Sequence, residues 1–165
     1  MMLANDLVSK AKALLELCER KKLTVATVES CTGGLLSGCL TAVPGSSAVV
    51  ERGWVTYSNQ AKSEEVGVEL TLLASHGAVS REVAAAMAAG ALRHAPVDLA
   101  AGITGVAGPG GGSAEKPVGL VYVSAAAKNQ LPEVRENRFG GDRDAIRAAS
   151  VDVALDMLLD LATSR

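Results

Sequence analysis

Apolar positions recur along this chain with two different periods, and their alternation predicts an α/β protein. Over residues 5–20, Leu7, Ala11, Leu14, Leu15 and Cys18 fall at helical spacing, with charges on the other face. Residues 23–28 (LTVATV) then read as a buried strand, and residues 32–42 as a helix ended by Pro44-Gly45. Residues 49–57 are a second strand candidate whose first half carries Glu51 and Arg52. Residues 80–94 (SREVAAAMAAGALRH) predict a helix, with Ser80 as its cap and Glu82 in its first turn. Its small alanine face at 83–91 suits close packing on a sheet or on a partner equally well, which leaves a homodimer open. Residues 97–103 and 118–125 are near-continuous apolar runs, as expected of strands covered on both faces. Residues 134–139 suit an edge strand. A last helix runs from about Asp142, with Ile146, Ala149, Val153 and Met157 along one stripe.

Strands that alternate with helices predict a layered α/β/α sandwich around a mostly parallel or mixed sheet. The chain has 165 residues, 48% of them apolar, which is one domain (1–165) with a real core. Its formal net charge of −2 gives no global pull toward nucleic acid or an anionic membrane. The aromatics are few (Trp54, Tyr57, Tyr122 and Phe139), too few for a base-stacking surface. Cys18, Cys31 and Cys39 do not form a disulfide framework, and His76 and His94 lie far apart, which gives a zinc site little support. The first 22 residues hold no apolar core long enough for a signal peptide or a membrane span, so a cytoplasmic protein is expected.

Three segments could carry chemistry. Glu29-Ser30-Cys31-Thr32-Gly33-Gly34 lies between the first strand and the second helix, at the carboxyl end of a strand. A nucleophile there would face the free N–H groups of a helix start, a natural oxyanion site. Two readings fit: Ser30 as nucleophile, or Ser30 or Thr32 as a helix cap with Gly33-Gly34 permitting tight packing. Cys31 is a rival nucleophile, since that position would lower a thiol pKa, but without a histidine partner it ranks as a packing or helix-start residue. Neither histidine is a compelling base for Ser30. Lys62 can reach the same end of the sheet, but it serves as a base only if burial lowers its pKa toward neutrality. The competing reading of Lys62 is an ordinary solvated lysine, or a local pair with Ser58 four residues earlier. Residues 104–117, rich in glycine, could wrap backbone N–H groups around a phosphate or simply link two strands. In Phe139-Gly140-Gly141-Asp142-Arg143, Asp142 would cap the last helix. Arg143 opposes the dipole there, with Arg147 one turn on; it would hold an anion or make a surface salt bridge.

TVATVESCTGG (24–34), GSS (45–47), ERGWVTYSNQAK (51–62), HGAVS (76–80), TGVAGPGGG (104–112), KPVG (116–119) and FGGDR (139–143) together resemble the CinA C-terminal domain family. The resemblance runs from about Leu7 to Leu161. It implies an enzyme that hydrolyses the carboxamide of nicotinamide mononucleotide to nicotinic acid mononucleotide and ammonia, in pyridine-nucleotide recycling. It also implies a Ser/Lys arrangement without metal or other cofactor. Carried over by motif, Ser30 would be the nucleophile, Lys62 the general base, and Arg143 a third functional residue on the substrate phosphate or transition-state charge. Thr32, Gly33, Gly34, Tyr57, Thr104, Gly105 and Gly108 would contact substrate. Many members carry a further N-terminal domain that resembles molybdopterin-binding proteins. This sequence starts directly at the amidase-like part, so a stand-alone form is expected. The rival expectations are a non-catalytic nucleotide-binding or competence-related module and an amidase for another small carboxamide.

Overall fold

The computed structural model describes residues 4–165. In chain order its elements are α1 (Asn5–Lys21), β1 (Val25–Glu29), α2 (Leu35–Thr41), β2 (Val50–Val55), α3 (Asn59–Val66), α4 (Leu70–His76), α5 (Arg81–His94), β3 (Leu99–Gly105), β4 (Leu120–Ala127), β5 (Glu133–Arg138) and α6 (Arg143–Thr163). The five strands lie in the order β2-β1-β3-β4-β5. β1 runs parallel to both β2 and β3, whereas β4 and β5 are antiparallel additions. The sheet is therefore mixed, with helices on both faces, as the alternation of periods predicts.

The pleat sorts neighbouring residues into two cores. Val25, Leu99, Ala101 and Ile103 join the layer built with α1, α2 and α6. Ala26, Val28 and Ala100 point the other way and pack with α3, α4 and α5. A strand covered on both faces is mostly apolar, so β1 and β3 read as near-continuous apolar runs that end in the polar Glu29 and in Thr104-Gly105. β2 escapes that demand as an edge strand. Its exposed Arg52 pairs with Glu51 and stacks over Trp54 with 5.7 Å to the ring centroid.

The alanine face of α5 packs on the chain's own sheet: Val83, Ala84, Met87, Ala88 and Ala91 are all buried. That answers the question of whether this face seeks a partner copy. α2 starts at Leu35 rather than at 32, because Gly33 and Gly34 adopt positive φ of +59° and +98° and make a tight turn first. α3 and α4 were missed in the sequence. α3 buries only Lys62 and Val66, so half of its inward face is a lysine and its pattern shows no apolar stripe.

The three parallel strands end together. Ser30 follows β1, Thr56 and Tyr57 follow β2, and Thr104 and Gly105 close β3. The helix after β1 packs on one face and the helix after β2 on the other, which opens a crevice at the carboxyl ends of the strands. Among the described residues no helix is long and apolar enough to cross a membrane.

The seating of α3 depends on Gly90 of α5, where a Cβ would collide with the carbonyl oxygen of Val66. Gly90→Ala gains about 1 kcal/mol of helix propensity. It also forces two backbones apart, an overpacking penalty of about 1–3 kcal/mol or more. A net loss of stability is expected, read as a lower urea midpoint. A higher midpoint would contradict the close approach.

Candidate active site

Among the described residues Lys62 is the largest fully buried side chain, at 1% exposure. Local sequence sets its direction. The hydroxyl of Ser58 accepts the Ala61 N–H at 3.0 Å and caps α3, and Gly67 ends that helix at φ +68°. Lys62 in the first turn therefore points back to the end of β2. Its Nζ lies 2.8 Å from the Thr56 carbonyl oxygen and 3.0 Å from Ser30 Oγ. The solvated lysine and the Ser58–Lys62 side-chain pair are both ruled out, since the Ser58 hydroxyl is engaged as the cap. Among the described residues no carboxylate pairs with Lys62. Burial without a countercharge holds its pKa below the ordinary lysine value.

Ser30 is fixed from the sheet side. Its N–H donates to the Ile103 carbonyl at 2.9 Å, and its own carbonyl accepts the Gly33 N–H at 3.0 Å. The residue before it was passed over in the sequence. Glu29 is completely buried at the end of β1. Its carboxylate accepts from Gly34 and Leu36 on one oxygen (3.2 and 3.0 Å) and from Ser37 on the other (2.8 Å). The signal was present as a lone acid closing an apolar strand.

This carboxylate corrects the expectation that the start of α2 would receive an oxyanion. The N–H groups of Gly34, Leu36 and Ser37 are on Glu29, and that of Leu35 is on the Thr32 carbonyl at 3.1 Å. A negative charge already sits at that end of the helix. The N–H groups of Cys31 and Thr32, in the turn itself, bond to no other residue among those described. The thiol of Cys31 is also unlike the expectation. Burial pushes its pKa up to about 11, where a thiolate is scarce at neutral pH, so it is a poor rival to Ser30.

Ser30 and Lys62 open onto a cavity of about 290 Å³, whose lining includes Tyr57, Thr104, Gly105, Gly108 and Arg143. The fold brings these residues together from four separate stretches of chain. Thr32, Gly33 and Gly34 stand outside it. Thr32 is wholly buried, and the two glycines shape the turn behind Ser30. Asn59, Ala78 and Val79 line the cavity without having been singled out; the last two lie in the HGAVS stretch. The Thr104 hydroxyl donates to the Ala78 carbonyl at 2.8 Å and ties that stretch to β3.

Arg143 closes one side. It donates to the Gly108 carbonyl at 2.7 Å and to the Tyr57 hydroxyl at 3.2 Å, and makes no ion pair among the described residues, contrary to the surface salt bridge. Asp142 caps α6 as expected, accepting the Ala145 N–H at 2.9 Å. Among the described residues no group of three or more His, Cys, Asp and Glu side chains is placed to hold a metal ion.

Known proteins resemble this chain in sequence and in shape. The chain is 45% identical to the nicotinamide-nucleotide amidohydrolase PncC of Escherichia coli over 157 residues, 95% of each chain. It is 51% identical to a CinA-like protein of Geobacter sulfurreducens over 88% of its own length but 35% of that protein's. It thus spans about a third of the longer relatives it matches. The crystal structure of the competence/damage inducible protein CihA from Agrobacterium tumefaciens superposes with a TM-score of 0.95 at 47% identity, covering 98% of both chains. Residues 8–162 match the profile of the CinA C-terminal domain, and the chain belongs to that family.

Proposed function

We propose that this protein is a cytoplasmic, single-domain nicotinamide-nucleotide amidase that works through Ser30 and Lys62, with a small nucleotide as substrate and neither nucleic acid nor membrane as partner. The observation that carries the reading is the direct approach of Lys62 Nζ to Ser30 Oγ, 3.0 Å apart at the mouth of a cavity. The near full-length similarity to a protein of that name supplies the substrate.

The geometry supports the following chemistry. A neutral Lys62 amine donates one hydrogen to the Thr56 carbonyl and offers its lone pair to the Ser30 hydroxyl. Ser30 Oγ attacks the carboxamide carbon while its proton passes to Lys62. The N–H group of Cys31, a residue that lines the cavity next to the nucleophile, is an unengaged donor that suits the developing oxyanion. Lys62 then returns the proton to the departing nitrogen, releasing ammonia and leaving an ester on Ser30. Water attacks this ester as Lys62 takes its proton; the bond to Ser30 breaks and the serine recovers its hydrogen. Arg143 stands across the cavity with donors that suit a phosphate. Such a contact would provide orientation energy remote from the amide.

Purified protein in EDTA should release ammonia from nicotinamide mononucleotide, and Ser30→Ala should lose at least about 10³-fold in kcat, in the range for removing a nucleophile. Release that survives Ser30→Ala would move the nucleophile elsewhere. Release from nicotinamide as readily as from the nucleotide would make it a different amidase. Binding without turnover would leave a nucleotide-binding module. Arg143→Ala should raise KM for the nucleotide by about 10-fold or more, the size of a lost charged hydrogen bond, when initial rates are compared across substrate concentrations.

Lys62 also predicts a pH signature. Its folded pKa is lowered, so the active neutral form grows as pH rises, and the acid limb of kcat falls below the ordinary value of 10.5. The same shift acts on stability. Between the lowered folded pKa and 10.5 the unfolded chain binds more protons, so stability increases with pH across that window; at lower pH the full penalty of a buried charge remains. Urea unfolding between pH 7 and pH 10 should therefore show the wild type gaining on Lys62→Met. Parallel profiles for the two proteins would exclude an uncompensated buried amine.

A further inference from the structure

The turn that carries Ser30 contains two successive glycines with positive φ, Gly33 and Gly34. Glycines allow such a turn but do not hold it, because they also populate many other conformations. Glu29 secures its N–H side from within the sheet. On the carbonyl side, Thr32 O accepts the Leu35 N–H at 3.1 Å locally and, from a different part of the chain, Nη2 of Arg147 in α6 at 2.9 Å across 115 residues of sequence.

The position of this arginine is poorly explained by stability. Its side chain is 23% exposed, and the carboxylate with which it pairs, Asp144, is 3.9 Å away and largely in solvent. Its Nε is buried with no partner among the described residues. A guanidinium drawn out of water with few of its five donors engaged is unfavourable, and an apolar side chain of similar volume would pack there at lower cost. What Arg147 does have is the one carbonyl that governs the turn. The Thr32–Gly33 peptide carries Thr32 O on one side and, on the other, the Gly33 N–H that donates to the Ser30 carbonyl. Fixing that peptide plane fixes the Ser30 carbonyl, and with it the adjoining Cys31 N–H on the far side of a trans peptide.

We infer that Arg147 is a positioning residue for the nucleophile: it locks the Thr32–Gly33 peptide and so sets the direction of Ser30 and of the N–H groups after it. The same helix carries Arg143 one turn earlier, on Gly108 and Tyr57. α6 thereby holds both walls of the cavity, the nucleophile turn and the glycine-rich loop, at a fixed separation. The inference rests on Ser30 being the nucleophile.

The test compares Arg147→Met, Arg147→Lys and Asp144→Asn with the wild type in three measurements: kcat and KM on nicotinamide mononucleotide, the rate of Ser30 labelling by a fluorophosphonate, and Tm. Arg147→Met should lower kcat about 10- to 100-fold, the scale of a misplaced reacting group, with KM changed less than about threefold. Its labelling rate should fall in step. Arg147→Lys should recover part of both, since an ammonium can still donate to the Thr32 carbonyl. Asp144→Asn should match the wild type. A lower Tm for Arg147→Met with kcat and labelling unchanged would reduce Arg147 to packing and overturn the inference. A rise in KM alone would make it a substrate contact, with the same effect. If the wild type is labelled but releases no ammonia from the nucleotide, the proposed substrate fails while the labelling ratio still decides the role of Arg147. A wild-type Ser30 inert in both assays removes the nucleophile and the inference together.

Discussion

Burial of the Lys62 amine without a carboxylate to neutralise it is the constraint around which the rest of this protein is arranged. Hydrophobic burial would not select a lysine there, and desolvating an ammonium is among the most unfavourable acts a fold can perform. The structure meets the difficulty by favouring the neutral form. One hydrogen bond goes to the Thr56 carbonyl, and a second links the amine to the Ser30 hydroxyl. That solution requires α3 to start where Ser58 caps it and to lie tightly against α5 at Gly90. The chemistry that favours the neutral amine in the folded state is the chemistry that a general base needs. Strain on stability and competence for catalysis therefore have one physical cause.

The approach of Lys62 to Ser30 depends on Ser30 staying in place, and Ser30 sits on a turn rather than on a rigid element. The turn is closed by opposed polar contacts: a buried carboxylate that collects N–H groups, and a guanidinium that holds a carbonyl. Both are charge-assisted, shorter-ranged and more directional than apolar packing. Glu29 belongs to the sheet and Arg147 to α6, so the turn is tied between the two layers whose packing forms the core. Loosening either layer would shift Ser30 relative to Lys62, and a displacement of about 1 Å is enough to matter for a reaction that depends on alignment.

The cavity itself follows from the parallel part of the sheet. Three strands end at one edge, and the helices that follow β1 and β2 diverge to opposite faces. The antiparallel strands β4 and β5 add width, and the long glycine-rich connection from β3 to β4 supplies the remaining wall. Arg143 braces that wall through Gly108 while keeping its guanidinium at the cavity. An anionic group placed there would meet a guanidinium that no carboxylate pairs with among the described residues.

Much of this was readable from the chain alone. Two hydrophobic periods determined the layered architecture, because a doubly covered strand must be mostly apolar and a helix on its face must carry an apolar stripe. The motifs ESCTGG, YSNQAK and FGGDR singled out Ser30, Lys62 and Arg143. The sequence could not say that Lys62 is buried, since its pattern treats a lysine as a solvent-facing residue; for that reason α3 was overlooked. Nor could it tell that Glu29 occupies the start of α2, that Thr32 turns inward while its carbonyl meets Arg147, or that burial raises the Cys31 thiol. Each of these is decided by groups from distant stretches of chain that share one volume. Local propensity acts within a turn or two, whereas desolvation and hydrogen-bond partnership exist only once the layers have closed.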